Sequence, residues 1–134
     1  MDMEHVKDFL PLALNAVVLD CKDIAALADF YARLLGWEKL PSDHPDFRGI
    51  RSPAGMLIWM QRNDDYVPPV WPEEPDAQQQ MVHMDFSVAS SVQLELAVQH
   101  AIDCGAVKTE TQFGGDHWIT MLDPAGHPFC FVIG

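Results

Sequence analysis

Two side chains that can carry acid–base chemistry, His83 and Asp85, stand two residues apart in the string MVHMDFSV. Alternate residues of a β-strand point to one face, about 6.5 Å apart, so a strand here would place both side chains together. A carboxylate beside an imidazole orients the ring and raises its pKa, as in a general base. The same residues would also suit a hydrogen-bonded core histidine and a solvated carboxylate at a cleft edge. No nucleophile or oxyanion-binding motif accompanies the pair in the sequence.

The cysteines Cys21, Cys104 and Cys130 are the other candidates for chemistry. An odd number leaves at least one unpaired, and the CxxC spacing is missing, so neither a disulfide framework nor a zinc knuckle is expected. Cys130 lies in the apolar string HPFCFVI, and nothing near it in sequence would lower the pKa of its thiol. We therefore expect Cys130 to fill space in the core. Free cysteines suit a reducing compartment, so we expect a cytoplasmic protein.

The overall charge argues against some classes of partner. The 134 residues carry 20 acidic and 8 basic side chains, and the net charge of −12 would repel nucleic acid and anionic membranes. This balance suits solubility and also a cationic ligand. The opening MDMEHVKDFLPL has neither a basic segment nor a long apolar run, so no signal peptide is expected. No stretch approaches the roughly 18 apolar residues of a membrane span.

The elements that must position these residues begin with LNAVVLDC, residues 14–21, a β-branched string that predicts a strand. A helix should follow, with Asp23 as its N-cap and Gly36 at its end. Its apolar residues recur at helical spacing: Ile24, Leu27, Tyr31, Leu34 and Leu35. FRGIRS and GMLIWMQ predict two strands around a turn at residues 53–55. A short strand is expected around residues 38–40.

The second half repeats this order after a proline-rich linker at residues 63–80. MVHMDFSV predicts a strand, and SSVQLELAVQHAIDCG a helix that begins with a capping box of Ser90 and Gln93 and ends at Gly105. DHWITML and HPFCFVI predict two more strands around a turn at residues 123–126, with a short strand around residues 107–111. His127, directly after this turn, is expected at the surface.

The spacing of matching landmarks indicates an internal duplication. Ala16 and His83 are 67 residues apart, Gly36 and Gly105 are 69 apart, and Gly55 and Gly126 are 71 apart. Small loop insertions would produce this drift. We therefore expect one domain over residues 1–134, with a first module at about 12–62, a linker at about 63–80 and a second module at about 81–134. Neither module alone could bury its sheet, so the two should share one structure.

The landmarks resemble the vicinal oxygen chelate superfamily, the group of glyoxalase I and the bleomycin resistance proteins. The resemblance lies in LNAVVLDCKDIAALADFYARLLGWE and in VHMDF with MLDPAGHPFCFVIG; the ending DPAGHPFCFV is most similar to the glyoxalase-like domain branch. It implies an α+β fold of two tandem βαβββ modules. These modules would form a curved, mostly antiparallel sheet with a central cleft and with the helices outside. The resemblance also implies that oligomers are common, and an open sheet edge invites pairing, so a homodimer is expected.

The resemblance also implies four positions for ligands of a divalent metal, which correspond here to Ala16, Trp59, His83 and Cys130. Of these, only His83 is a usual ligand at its position. Ala16 has no donor atom, the indole N–H of Trp59 cannot bind a metal, and Cys130 stands where a carboxylate is expected. A metal needs three or more converging donors, so no metal and no other cofactor is expected.

Strand alternation gives an expected lining for the cleft that is apolar and aromatic with a polar strip, as ligand pockets tend to be. Pro128 and Val132 should share the face of Cys130. We expect Trp118, not its neighbour His117, to point inward. The expected cleft residues are Ala16, Val18, Leu57, Trp59, Gln61, His83, Asp85, Trp118 and Cys130.

Three functions follow from these patterns. The first is binding of a small apolar or cationic molecule without the usual divalent metal, as in the antibiotic-sequestering members of the superfamily. The second is an enzyme of lyase, isomerase or dioxygenase type, with a displaced metal site at His83 and Cys130 or a His83–Asp85 acid/base pair. The third is a non-catalytic dimerisation module whose own side chains fill the cleft. The first two predict a cavity and the third does not.

Overall fold

The structure, a computed structural model, describes residues 12–134. The expectation that the opening segment is not a signal peptide concerns residues 1–11, which lie outside the described residues. Two helices and eight strands follow one another in the described part: β1 Ala16–Cys21, α1 Ile24–Leu35, β2 Glu38–Lys39, β3 Phe47–Arg51, β4 Leu57–Arg62, β5 Met84–Val88, α2 Ser91–Cys104, β6 Val107–Lys108, β7 Trp118–Leu122 and β8 Pro128–Ile133.

The strands form two four-stranded sheets with the same topology, which confirms the predicted α+β fold of two tandem modules. The first sheet has the order β1-β4-β3-β2 and the second the order β5-β8-β7-β6. In each sheet the strand that comes first in the chain pairs in parallel with the strand that comes last, β1 with β4 and β5 with β8. The other pairs are antiparallel. The sheets are therefore mixed, and no strand pairing joins one sheet to the other within the described residues.

Both helices begin and end where the sequence predicts. The carboxylate of Asp23 accepts a hydrogen bond from the backbone N–H of Ala26, at 3.0 Å. Ser90 and Gln93 form the capping box, since each side chain accepts from a backbone N–H at the start of α2. Gly36 and Gly105 both end their helices in the left-handed conformation, with φ of 69° and 119°.

Helix α1 contributes aromatic side chains to the core of both modules. Phe30 and Tyr31 are almost fully buried, and both rings lie close to Phe129 on β8, with centroids 6.0 and 6.1 Å apart. Tyr31 also packs against Phe86 on β5. The two sheets therefore share one core through the first helix, because Phe86 and Phe129 belong to the second module.

A buried hydrogen bond from Tyr31 to Asp123 lies inside this shared core. The Tyr31 hydroxyl donates to Oδ2 of Asp123 at 2.7 Å, while Oδ1 accepts from the backbone N–H groups of Ala125 and His127. Burial raises the pKa of Asp123, and its hydrogen bonds and the nearby His127 oppose that rise. Burial and the charge of Asp123 raise the pKa of Tyr31 well above its ordinary value, so the phenol remains a donor.

The expectation that His127 lies free at the surface is wrong. Its ring is half-buried, and Nε2 lies 2.7 Å from the backbone carbonyl oxygen of Asp20 in the first module. Nearby, Tyr66 donates its hydroxyl to the carbonyl of Ala125 at 2.7 Å. The turn after β7 therefore also joins the two modules. Turn residues with polar side chains are usually solvated, and only the contact between the modules changes that here.

No helix within residues 12–134 has the length and apolar character that crossing a membrane would require.

We predict that Tyr31→Phe lowers the free energy of unfolding by about 1.5–3 kcal/mol at neutral pH, because a buried carboxylate loses a charge-assisted donor. Urea unfolding would measure this loss. The matched control is Tyr66→Phe, which removes a bond to a neutral, half-buried carbonyl and should cost about 1 kcal/mol or less.

The Tyr31→Phe deficit should depend on pH in a defined direction. The Tyr31 hydrogen bond lowers the pKa of Asp123, so its loss raises that pKa in the folded variant. Asp123 in the folded variant therefore keeps its proton to a higher pH than Asp123 in the folded wild type. As pH rises between these two pKa values, the free energy of unfolding falls more in the variant than in the wild type. The deficit should shrink when the pH falls through the raised pKa of Asp123. A deficit that is constant from acid to neutral pH would contradict this account.

Candidate functional site

A cavity of about 450 Å³ lies on the face of the second sheet, and we call it the Cys130 pocket. Its polar lining residues come from β5, β7 and β8 and from the segments that lead into them: Gln80, His83, Asp85, Thr120 and Cys130. Its apolar lining residues are Trp71, Phe113, Trp118, Pro128 and Val132. Strand β5 begins at Met84, so His83 lies just before the strand and not within it.

Three groups that can bind a metal or transfer protons meet in this pocket: His83, Asp85 and Cys130. Nε2 of His83 lies 3.2 Å from Oδ1 of Asp85. Asp85 is the register partner of Cys130 across the parallel β5–β8 pair. The three ligand atoms all lie within 4.8 Å of one another. The His83 and Asp85 side chains are 45% and 57% exposed, so solvent and small molecules can reach them.

The Cys130 thiol is the buried member of this group. Its Sγ lies 3.5 Å from Oγ1 of Thr120, its register partner on β7. Burial raises the pKa of the thiol above its ordinary value, and the charge of Asp85 acts in the same direction. The hydrogen bond with Thr120 opposes these effects only in part. The free side chain is therefore a thiol at neutral pH, which is a weak nucleophile.

The predicted linker forms one wall of the pocket. Trp71 lies edge-on to Phe113, with ring centroids 5.8 Å apart, and its indole N–H donates to the carbonyl of Thr111 at 3.4 Å. The backbone N–H of Val70 donates to the carbonyl of Gln78 at 3.0 Å, which closes the linker into a loop. From the sequence, Trp71 among the linker prolines could cover either the mouth of the cleft or a partner subunit, and Phe113 had no predicted role.

Gln80, at the end of the linker, carries an unused hydrogen-bond acceptor. Its Oε1 is buried and has no hydrogen-bond partner, alone among the side-chain oxygens and nitrogens of the described residues. A buried acceptor without a donor costs free energy, roughly 1–3 kcal/mol. Because Gln80 lines the Cys130 pocket, a bound molecule with an N–H or O–H group could supply that donor. No sequence pattern predicts that Gln80 lies in this pocket.

The two tryptophans of the predicted lining each pack where a glycine leaves room. A Cβ on Gly49 would come within 2.7 Å of the Trp59 ring, and these residues are register partners on β3 and β4. A Cβ on Gly114 would likewise clash with the Trp118 ring. Because glycine has no side chain, each indole ring can lie directly against the glycine backbone. These contacts determine the shape of both aromatic surfaces.

The first module has its own cavity of about 440 Å³, the Trp59 pocket. Val18, Trp59 and Gln61 line it, as do three residues that sequence reasoning did not place there: Ser42, His44 and Phe47. Ala16 and Leu57 are half-buried register partners that line neither this cavity nor the Cys130 pocket. The nine predicted cleft residues thus separate into four in the Cys130 pocket, three in the Trp59 pocket and two in neither.

The residues at the four expected metal positions do not fit a site shared between the modules. Ala16 supplies no donor, and the Trp59 ring packs over Gly49. His83 and Cys130 converge in the Cys130 pocket, and the third donor beside them is Asp85, which is not one of the four positions. All converging donors of this group therefore belong to the second module.

Comparison with solved structures shows that this fold is widely shared. The fosfomycin resistance protein FosX from Listeria monocytogenes matches with a TM-score of 0.67 and 16% identity, over 93% of each chain. A mutant of that protein was solved in complex with Mn(II) and 1S,2S-dihydroxypropylphosphonic acid. A glyoxalase/bleomycin resistance protein/dioxygenase family enzyme from Burkholderia phytofirmans matches with a TM-score of 0.65 and 21% identity, over 90% of this chain and 97% of that one.

At these identities the solved structures establish the fold alone. No curated protein matches the chain. The family model for the glyoxalase-like domain matches residues 16–132, which includes every helix and nearly every strand residue described above. With its two sheets of equal topology and this match along almost its whole length, the chain belongs to the glyoxalase-like domain family.

Proposed function

We propose that this protein binds a small apolar or cationic molecule in the Cys130 pocket, without the four-position divalent metal site of the superfamily. The observation that carries the proposal is the aromatic lining: Trp71, Phe113 and Trp118 all border the cavity. Flat aromatic surfaces bury apolar ligands and attract cations through the negative face of the ring. A volume of about 450 Å³ is within the range of small-molecule sites.

The polar groups of the pocket favour a ligand with a positive or hydrogen-bond-donating end. Asp85 supplies a carboxylate and Gln80 an unpartnered carbonyl oxygen, and no lysine or arginine within residues 12–134 lines this pocket. The net charge of −12 would attract a cation and repel an anion at longer range. The open cavity argues against the third function, a dimerisation module with a filled cleft, because that function needs no cavity.

A screen of hydrophobic amines and quaternary ammonium compounds, each with a neutral and an anionic analogue, would test this binding. We expect cationic aromatic members to raise the melting temperature, and this effect should persist in EDTA. Trp118→Ala should weaken binding about 5–30-fold, which corresponds to the loss of about 1–2 kcal/mol of cation–π attraction. His117→Ala is the matched control, since its exposed neighbouring side chain does not line the pocket.

Two results would contradict the proposal. One is a preference for the anionic analogues, and the other is equal weakening by His117→Ala and Trp118→Ala. Trp59→Ala would report separately on the Trp59 pocket. It should weaken binding only if the two pockets act as one site in the working assembly.

We also propose that the protein works as a homodimer. Strands β1 and β5 each lie at a free edge of their sheet, and exposed edges are templates for pairing. Large apolar side chains on or just before these strands are strongly exposed: Leu12, Leu14, Val18, Met81 and Val82. Such a patch on a single chain suits burial against another copy. A partner strand at either edge would also extend the wall of the nearby pocket, because Val18 and His83 line these pockets.

Val18→Lys should shift the protein towards monomer, because Val18 is 52% exposed on the free edge strand β1. Sedimentation or light scattering at micromolar concentration would measure the change. The control is Val92→Lys, on the exposed surface of α2 and 66% exposed. A wild-type protein that is monomeric throughout, or equal dissociation in both variants, would overturn the dimer.

A second candidate function is proton transfer by the His83–Asp85 pair. The distance of 3.2 Å between Nε2 and the carboxylate, on a surface that ligands can reach, favours it. Such a base would exchange an acidic C–H proton of a bound ligand with solvent. In D₂O, a ligand identified by mass spectrometry should gain deuterium with the wild type and not with His83→Gln. Lack of exchange with the wild type would exclude this role and leave binding intact.

The domain bounds and the compartment remain proposals. We propose one domain over residues 1–134, with modules at about 12–62 and 81–134 and a linker at 63–80. The shared core of α1 with β5 and β8 supports a single unit. A cytoplasmic location is supported by Cys21, Cys104 and Cys130, which are all free thiols.

A further inference from the structure

We infer that His83, Asp85 and Cys130 form a zinc site contained within the second module. The proposal rests on three different donor types meeting at one point: an imidazole nitrogen, a carboxylate oxygen and a sulfur, all within 4.8 Å of one another. Catalytic zinc sites use three protein ligands of these kinds and leave a fourth position open.

The donor set selects among metals. Magnesium and calcium prefer sites built from oxygen, whereas a thiolate with an imidazole favours zinc. The negative charges of Asp85 and of a Cys130 thiolate would balance Zn²⁺. When zinc binds, the Cys130 thiol gives its proton to solvent and the sulfur becomes a metal ligand. Zinc must compete with that proton, so binding weakens as pH falls.

The geometry needs only a small adjustment. Zinc bonds of about 2.0–2.3 Å at tetrahedral angles place donor atoms about 3.3–3.8 Å apart. Nε2 of His83 and Oδ1 of Asp85 are already 3.2 Å apart, and the sulfur of Cys130, now within 4.8 Å of both atoms, must close by up to about 1.3 Å to reach the roughly 3.5 Å of a tetrahedral site. The Asp85 side chain is 57% exposed. Cys130 is held in place by the β7–β8 pairing opposite Thr120.

This site differs from the four-position site that the superfamily resemblance implies. Two of those positions, Ala16 and Trp59, contribute nothing here, and Asp85 is an additional donor that lies outside them. Asp85 is therefore the residue that decides between the two sites. The zinc site shares Asp85 with the proposed ligand site, but zinc binding is measured without any organic ligand, so each proposal can fail by itself.

Zinc binding by the full chain, first stripped of metal with a chelator, would test the site. We expect one Zn²⁺ per chain in competition with a chromophoric chelator and in native mass spectrometry. Asp85→Asn and His83→Gln should each weaken binding by more than about 100-fold, because a direct ligand is lost. Both residues are exposed, so these substitutions leave the core intact. Thermal unfolding of the metal-free variants would verify that they fold.

Co²⁺ would identify the sulfur ligand. The wild type should show a thiolate-to-cobalt charge-transfer absorption that disappears in Cys130→Ser. The matched control is Cys104→Ser, because Cys104 lies 4.0 Å from His100 and forms another cysteine–histidine pair of the described residues. That variant should retain both the absorption and full zinc affinity.

Three results would overturn the inference: no zinc binding tighter than micromolar, a cobalt band that survives Cys130→Ser, or full affinity in Asp85→Asn. The last result would place any bound ion elsewhere, even if the protein still binds zinc.

Discussion

Each four-stranded sheet has one apolar face that must be buried. Helix α1 packs on the first sheet and α2 on the second, and side chains of α1 join the two faces in one core. Phe30 and Tyr31 reach from the first module to Phe86 and Phe129 in the second. At the centre, the Tyr31 hydroxyl satisfies a buried carboxylate, and without this donor Asp123 would be costly to bury. The shared core uses the helix-covered faces, so the opposite face of each sheet remains available for a cavity.

The shape of the cavities depends on residues that have no chemistry of their own. Gly49 and Gly114 let the Trp59 and Trp118 rings lie against the backbone. The loop between the modules then brings Trp71 to the second sheet, where Phe113 meets its ring. A proline-rich segment suits this role, because prolines restrict the backbone and lower the entropy lost on ordering. The loop is thus part of the proposed binding site as well as a connection.

Both modules have a pocket of similar volume, but the metal-binding side chains converge in the second. The first has Val18, Trp59 and Gln61 on its strands, which form an aromatic and weakly polar surface. The second has His83, Asp85 and Cys130 together with the unpartnered oxygen of Gln80. The aromatic rings beside these polar side chains can bind an organic cation, and the same polar side chains include the donor atoms that zinc requires. The two proposals therefore concern one pocket and share Asp85.

The sequence by itself determined the elements that local rules control. The caps at Asp23 and Ser90, the left-handed glycines at 36 and 105, and the alternation in β5 and β8 depend on hydrogen bonds and side-chain directions within a few residues. Composition and residue order also sufficed to predict two tandem modules. Of the residues that line the Cys130 pocket, Asp85, Trp118 and Cys130 could be predicted from strand alternation, and His83 was predicted with them although it lies just before β5.

Only the tertiary structure decided the rest. Trp71, Gln80 and Phe113 come from segments without a periodic pattern, and their positions depend on contacts with distant residues. His127 follows a turn and was expected to be exposed, but its ring contacts the carbonyl oxygen of Asp20 in the first module. The division of the predicted cleft into two pockets follows from how the two sheets pack through α1. Local sequence patterns determine which side chains share one face of a strand. The contacts between strands, loops and modules depend instead on how the whole chain buries its apolar surface.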